Sequence, residues 1–343
     1  VAWADGSRGV RDGDIVVVSP SSRTSIPAGE GFIDAGYLVN ILSGATPTVD
    51  VVSSATRFEE VRHAVDLGLR GPVARGVTLG AAYMATLESD FVAHGPSVTL
   101  GADALRQMAR LTATWRLRIE RTSPATGEPL HDSGMTQELD LSWTQILGRS
   151  TRLSVLASGG ASVCGDSFGC QASPYRYVRV GEVTLREKHP DRRLRGAAAL
   201  RLSQALGPSV ALHGGYRFAY DSWRIQAHTG DVSLAVALLG ERLLLRATGR
   251  FTWQSAASFY RDDYGATGAG DAPPAWLTGD RELSGLYDLM IGLRGEWSWF
   301  AVGELSRLSP SARVAHIFYR YPNYSEAPRR NAWLIGAGVD AQF

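Results

Sequence analysis

The sequence lacks long hydrophobic runs, a marked excess of charge of either sign, and more than two cysteines. No stretch reaches the roughly 18 uninterrupted apolar residues that a membrane-spanning helix needs, which excludes a helical membrane protein. Lysine and arginine total 35 against 34 acidic residues, so charge gives no support for a nucleic-acid partner. A hydrophobic content of 44% and 38 glycines exclude a disordered chain. No signal peptide precedes Val1, so an exported chain is expected to have lost it by cleavage or truncation.

The segment 331–343 alternates strictly between two faces. One face carries tryptophan, isoleucine, valine and alanine and ends on Phe343, whereas the other carries mostly glycine and polar residues. A period of two predicts a strand with one side in lipid and the other facing a wet or closely packed lumen. A terminal phenylalanine is characteristic of outer-membrane β-barrels. We therefore expect this strand to be recognised by the barrel-assembly machinery.

The same alternation recurs along the chain and predicts a transmembrane antiparallel β-barrel of about sixteen strands, with 14 to 18 left open because segment bounds shift by a few residues. The candidate strands are 1–5, 12–26, 29–43, 57–70, 76–88, 92–103, 107–121, 135–146, 150–160, 192–205, 208–220, 223–238, 241–256, 282–295, 298–308 and 331–343. Short connections alternate with long polar ones, among them 121–134, 161–191, 257–281 and 309–330. This is typical of short periplasmic turns and long extracellular loops. The prediction is a single domain over 1–343 in the bacterial outer membrane, with both ends in the periplasm.

Charged residues fall on one face of the predicted strands. In 107–121, Leu111 and Trp115 share the apolar face, while Arg110 and Arg116 lie on the other. An arginine on the lipid face would cost about 2–4 kcal/mol at the bilayer midplane, so these residues are assigned to the lumen. The predicted pore-lining residues are Arg62, Arg70, Arg110, Arg116, Arg118, Glu120, Arg217, Arg246, Arg250, Asp288, Arg294 and Asp340. Whether such charges pair across the lumen and close it stays open, because alternation gives faces but not registers.

The two cysteines, Cys164 and Cys170, lie in a glycine-containing loop of a chain predicted to be exported. A small disulfide is the prediction. A redox or metal pair is the alternative, but five intervening residues match no redox motif and no second cysteine or histidine pair accompanies them. The loop 161–191, predicted to be the longest extracellular one, is expected to cap the pore or to fold into it.

Few residues point to chemistry at the barrel rim. Glu88, Asp90 and His94 are candidates for a cation site, with a solvated loop as the alternative. Asp221 and His228 are further rim candidates, and with Ser222 they form the only cluster that an enzyme could use, although they lack diagnostic spacing. No HExxH, GxSxG or phosphate-loop motif occurs. The prediction is accordingly no enzyme, no catalytic residue, no metal and no cofactor.

Several segments together resemble a bacterial family of unknown function, DUF3570. They are 42–47 (LSGATP), 88–91 (ESDF), 173–178 (SPYRYV), 216–218 (YRF) with 220–223 (YDSW), 227–229 (AHT) and 254–260 (QSAASFY). The resemblance spans nearly the whole chain and implies an outer-membrane β-barrel of Gram-negative bacteria, with no established activity to carry over. The insert before Tyr175 that carries the cysteines departs from the family pattern.

Three classes of function are compatible with these observations. A porin-like channel for passive passage of small hydrophilic, anionic solutes is favoured by sixteen strands and a polar inner face. A non-conducting scaffold that docks a periplasmic or surface protein is the alternative, since the predicted loops carry aromatic residues such as Phe259, Tyr260, Trp276, Tyr321 and Tyr324. A barrel enzyme is the third class. The expected partners are outer-membrane lipids and lipopolysaccharide, the assembly machinery and, for the scaffold, that docked protein; no nucleic acid is expected.

Overall fold

A computed structural model describes residues 2–5, 15–45, 57–123, 132–165, 169–173, 176–265, 274–302 and 305–342. The described chain is almost entirely β-structure, with one 3-10 turn at Arg281–Leu283. Within these ranges no helix is long and apolar enough to cross a membrane.

Eighteen strands form one sheet and two form a separate hairpin. The strands are β1 Ala2–Asp5, β2 Ile15–Val18, β3 Ser21–Ala28, β4 Gly31–Ala45, β5 Arg57–Ala74, β6 Val77–Leu87, β7 Phe91–Ala104, β8 Ala109–Thr122, β9 Asp132–Ile146, β10 Thr151–Cys164, β11 Tyr177–Val180, β12 Val183–Arg186, β13 Arg192–Ala205, β14 Val210–Asp221, β15 Gln226–Leu238, β16 Leu243–Gln254, β17 Leu286–Trp297, β18 Trp299–Val302, β19 Leu305–Arg320 and β20 Arg329–Gln342. The hairpin consists of β11 and β12.

The antiparallel pairings of the large sheet form a ring. We call each continuous position in the barrel wall a stave. β2 and β3 both pair with β4, and β17 and β18 both pair with β19, so each of these two couples forms one interrupted stave. β1 pairs with β20 on one side and with β2 on the other, which returns the series of pairings to its start. Counted this way the ring has sixteen staves. The all-β barrel class predicted from the sequence is confirmed.

The two ends of the barrel differ in their connections. At the short-turn end the staves reverse through 29–30, 75–76, 105–108, 147–150, 206–209 and 239–242. The opposite, long-loop end carries 165–191, 222–225, 255–285 and 321–328. Because β10 runs to Cys164, the cysteine-bearing connection starts later than predicted, and 255–285 exceeds it in length.

The predicted loop 309–330 is wrong, since β19 continues to Arg320. Pro310 suggests a strand end in the sequence, because proline removes a ladder hydrogen bond. The structure places Pro310 at the point where β17 gives way to β18, between the pairs Glu296 with Ser311 and Trp299 with Leu308, while on its other side Pro310 stays paired with Val339 of β20. The predicted turn near Trp297 is this interruption.

Apolar side chains project from the outer face of every long stave. Ile335 is 77% exposed and Leu69 62%, which are values expected only of a surface that meets lipid. Aromatic residues gather toward both ends of this apolar band. Those toward the long-loop end are Tyr216, Phe218, Tyr220, Trp253, Tyr287, Phe318 and Trp333, and those toward the short-turn end are Trp143, Trp297 and Trp299.

The described parts of 165–191, 222–225, 255–285 and 321–328 pack together at the long-loop end, and we call this assembly the loop cap. Its core contains Cys170, Trp223, Ile225, Tyr260 and Leu283. Phe259 and Tyr324 pack against that core. Most of the loop aromatics that the sequence suggests as an exposed docking surface are therefore buried in the cap, whereas Trp276 is 48% exposed.

Candidate functional site

The register of the staves sorts every charged strand residue onto one of two faces. Residues directly opposite in a ladder share a face, so the pairs Arg116 with Glu138 and Thr114 with Asp140 continue one polar face from β8 to β9. The same reasoning followed around the ring places the predicted pore-lining residues together on the inner face. They are Arg62, Arg70, Arg110, Arg116, Arg118, Glu120, Arg217, Arg246, Arg250, Asp288, Arg294 and Asp340.

Ion pairs on the inner face run along the wall. Arg70 Nε donates to Asp34 Oδ2 at 2.7 Å and Arg110 Nη1 donates to Asp103 Oδ1 at 2.6 Å, both between adjacent staves. Arg23 meets Asp66 at 3.3 Å across β4, and Arg195 meets Glu138 at 3.5 Å across β10. Within the described ranges, no ion pair of the staves joins residues more than two staves apart. Opposite sides of the lumen are not linked by these contacts.

Glycines on the inner face make room for the long side chains that cross them. A Cβ atom added at Gly336 would lie 2.8 Å from Arg313 Nε, and one at Gly101 would lie 2.5 Å from Arg110 Nη2. A Cβ at Gly36 would collide with the Asp66 carboxylate that Arg23 reaches over β4. These side chains therefore lie flat against the wall. Arg294, also on the inner face, is 56% exposed, so water reaches it.

The inner face divides into two walls of different charge. The inner faces of β3–β9 form the paired wall, where each of six arginines contacts a carboxylate: Arg23 with Asp66, Arg62 with Glu88, Arg70 with Asp34, Arg110 with Asp103, Arg116 with Asp140 and Arg118 with Glu120. The inner faces of β10 and β13–β20 form the basic wall. Its arginines are Arg152, Arg193, Arg195, Arg201, Arg217, Arg246, Arg250, Arg294, Arg307, Arg313 and Arg330, and its carboxylates are Asp221, Asp231, Asp288, Glu296 and Asp340.

Five arginines of the basic wall form no ion pair with any residue that the structure describes. They are Arg152, Arg201, Arg217, Arg246 and Arg313. Arg246 lies directly opposite Arg294, which lies directly opposite Arg313, so three arginines stand side by side on consecutive staves. Like charges so placed repel each other.

The predicted pore-lining set lacks several of the inward arginines, among them Arg152 and Arg313. Arg313 was assigned to the loop 309–330, although the alternation of Val314, His316 and Phe318 with polar or small residues could have extended the strand. Phe343 lies outside the residues that the structure describes.

A recess of about 370 Å³ lies in the inner wall near the loop cap. Arg193, Arg195 and Arg217 line it together with Glu138 and Gln254. Small residues of β10, β13 and β14 form its floor, and Arg217 is its cation without an ion-pair partner. Its lining also includes Asp140 and Asp221, so the recess presents charges of both signs where the two walls meet.

The predicted cation candidates Glu88, Asp90 and His94 do not assemble as expected. Carboxylate oxygens of Glu60, Glu88 and Asp90 lie within 4.8 Å of one another, but His94 faces outward and its Nδ1 is 2.7 Å from the Tyr83 hydroxyl. His94 does not join these carboxylates, because it shares the outward face of β7 with Val98 and Leu100. Arg62 contacts Glu88 and offsets part of the negative charge.

Asp221, Ser222 and His228 also lie apart. Asp221 faces inward, where it accepts from Arg193 Nε at 2.8 Å and from the backbone N–H groups of Trp223 and Ile225. His228 faces outward between Tyr216, Phe218 and Trp253, with Nδ1 2.6 Å from the Tyr216 hydroxyl. The cluster suggested for an enzyme is thus not formed. Asp221 holds a tight turn, and His228 belongs to the aromatic band.

A buried polar network fixes the loop cap. Glu187 is 1% exposed and contacts Arg176 at 3.2 Å, His189 at 3.4 Å and the Thr278 hydroxyl, while Arg176 reaches Asp280 at 2.9 Å. Burial alone would raise the pKa of Glu187, but the polar contact with His189 and the positive charge of Arg176 lower that pKa to about 2. Glu187 is therefore a buried, ionised carboxylate whose contacts join two loops of the cap. No local sequence pattern indicates these contacts.

A disulfide joins Cys164, at the end of β10, to Cys170 in the core of the cap, as the sequence predicts. Their Cα atoms are 5.1 Å apart. The His189 Nδ1 atom lies 2.9 Å from the Cys170 carbonyl oxygen, which ties the disulfide to the polar network. The cap is in this way attached covalently to a barrel stave.

The family described as "Protein of unknown function (DUF3570)" matches residues 131–309, more than half of the chain. This range holds the staves from β9 to β18 and most of the loop cap. No protein of curated function matches the chain significantly.

Several solved structures are similar in fold. The FrpB iron transporter from Neisseria meningitidis is 9% identical, with a TM-score of 0.50 over 95% of this chain and 57% of its own. A variant of the ferric enterobactin receptor PfeA from Pseudomonas aeruginosa, in complex with enterobactin, is 12% identical, with a TM-score of 0.50 over 99% of this chain and 59% of its own. The chain spans less than two thirds of the length of these proteins. At such identities the likeness shows the fold alone, which is that of bacterial outer-membrane β-barrels.

Proposed function

The chain belongs to the DUF3570 family, and from this premise we propose that it forms a channel in the bacterial outer membrane through which small hydrophilic solutes, preferably anions, pass passively. The observation that carries the proposal is the direction of the inner ion pairs. They run along the wall between near staves, so none of the ion pairs among the described residues bridges the lumen. A ring of sixteen staves is also the size at which barrels enclose an aqueous channel.

The preference for anions rests on the basic wall. The basic wall carries eleven arginines and only five carboxylates, whereas every arginine of the paired wall contacts an acid. Unpaired charges along one side of a low-dielectric pore raise the local concentration of counter-ions. Anions are the counter-ions of Arg201, Arg217, Arg246 and Arg313.

The test is single-channel recording of the purified, refolded protein in a planar bilayer with a salt gradient. We expect steady openings and a reversal potential of the sign that anion permeation gives. Replacing Arg246 and Arg313 by glutamate should change the anion-to-cation permeability ratio on the order of tenfold, because wall potentials reach several kT. The matched control exchanges Arg110 and Asp103 in the paired wall, which keeps the net charge and should leave the ratio unchanged.

A folded barrel that never conducts would contradict the proposal and favour the non-conducting scaffold instead. Folding is checked by heat-dependent migration in gels and by circular dichroism. Openings without ion selectivity, or equal effects of the two double variants, would retain a channel but refute the role of the basic wall.

A further inference from the structure

Two arginines stand directly opposite each other on the outer face at the long-loop end. Arg320 ends β19 and Arg329 begins β20, and the register pairs them. Tyr287, an outward aromatic residue of β17, lies directly opposite Arg320 on its other side. Both arginines are exposed and neither forms an ion pair within the described part of the chain.

Side chains that suit a lipid lie next to this pair on the membrane side. Phe318 and Trp333 flank His316, with ring centroids 4.1 Å and 4.3 Å from the imidazole. Trp333 is 49% exposed and Phe318 44%, so both offer apolar area to the outside. Two guanidinium groups above an aromatic surface form an amphipathic site.

Two like charges in direct cross-strand register destabilise a sheet unless an anion lies between them. Guanidinium groups bind phosphate through paired, charge-assisted hydrogen bonds. The long loops of outer-membrane barrels face outward, which places this pair at the level of the outer-leaflet headgroups.

We propose that Arg320 and Arg329 bind a phosphate group of lipopolysaccharide, with Tyr287, Phe318 and Trp333 against its acyl chains. A free anion would meet only the two charges, whereas a phosphorylated lipid meets the charges and the aromatic surface together. The site lies on the outside of the barrel. It therefore requires no conduction and stands apart from the proposed channel.

The experiment measures binding of lipopolysaccharide to the purified barrel in a zwitterionic detergent by native mass spectrometry. Replacing both Arg320 and Arg329 by glutamine should weaken binding roughly 30-fold, the factor expected from two arginines at a membrane surface. The control replaces Arg75 and Arg106, which are equally exposed but lie in turns at the opposite end, and should bind as the wild type. Dephosphorylated lipopolysaccharide should bind about as weakly as the Arg320→Gln/Arg329→Gln variant, and inorganic phosphate should compete poorly.

Equal binding of the phosphorylated and dephosphorylated lipids would overturn the proposal, as would equal losses in the two double variants. Strong competition by inorganic phosphate would reassign the pair to a soluble anion. If the variant fails to fold, the salt dependence of the wild type decides. Affinity for lipopolysaccharide should fall steeply with salt, and affinity for its dephosphorylated form should not.

Discussion

The paired wall and the basic wall are built from the same strands, glycines and arginines, yet their arginines are held differently. In the paired wall each arginine reaches a carboxylate on its own stave or within two staves of it. In the basic wall Arg246, Arg294 and Arg313 stand in one row, and only Arg294 has an acid, Glu296, at 3.4 Å. The two walls differ in whether a carboxylate lies at a ladder position that each arginine can reach. The number of arginines alone does not set the charge that a wall presents to the lumen.

The largest change in stability is expected from Gly36→Ala in the paired wall. The added Cβ atom would lie 2.7 Å from the Asp66 Cγ atom and would separate Asp66 from Arg23. Forcing such a contact costs about 1–3 kcal/mol. The measurement is the urea midpoint of unfolding in detergent. Gly230→Ala is the control, because its Cβ would have nothing within 4 Å. Equal shifts of the two variants would show that the contact of Arg23 with Asp66 across β4 does not contribute to stability.

A smaller effect is expected from Asp103→Asn, which gives the paired wall one unpaired arginine. Arg110 and Asp103 are both partly exposed, so losing their ion pair should cost less than about 1 kcal/mol. Arg110 would then resemble Arg246, and the anion preference of the channel should rise. Recording reversal potentials beside unfolding midpoints checks both effects. An unchanged preference would mean that pairing does not control selectivity.

The smallest effect is expected from Arg246→Gln in the basic wall, and its sign is opposite. Removing one charge from the row of three relieves repulsion and should stabilise the barrel by a few tenths of a kcal/mol. Anion preference should fall. A loss of stability comparable to that of Asp103→Asn would indicate that Arg246 has a carboxylate partner after all.

The class of fold and the two faces could be predicted because side chains on a strand alternate with a period of two. Arg116 and Trp115 fall on opposite faces in the sequence and in the structure alike. The same period could have assigned His94 and His228 to the outer face. Acidic residues beside them in the sequence suggest a site instead.

Partners across the ladder could not be predicted. Arg110 lies between Asp103 and Glu120 in the sequence, and only the register shows that it donates to Asp103. The contacts within the loop cap are even harder to predict from the sequence. Glu187 and Thr278, or Arg176 and Asp280, meet through loops that lack any periodicity.

The row of Arg246, Arg294 and Arg313 has a kinetic consequence. Neighbouring strands lie about 4.8 Å apart, so the backbones of successive arginines in the row are one strand spacing from each other. In the proposed channel their charges attract an anion together, and an anion that leaves one guanidinium group departs next to a second hydrogen-bond donor. In the proposed channel the row forms a series of adjacent binding positions that runs obliquely around the wall. An anion moves along it by exchange from one arginine to the next.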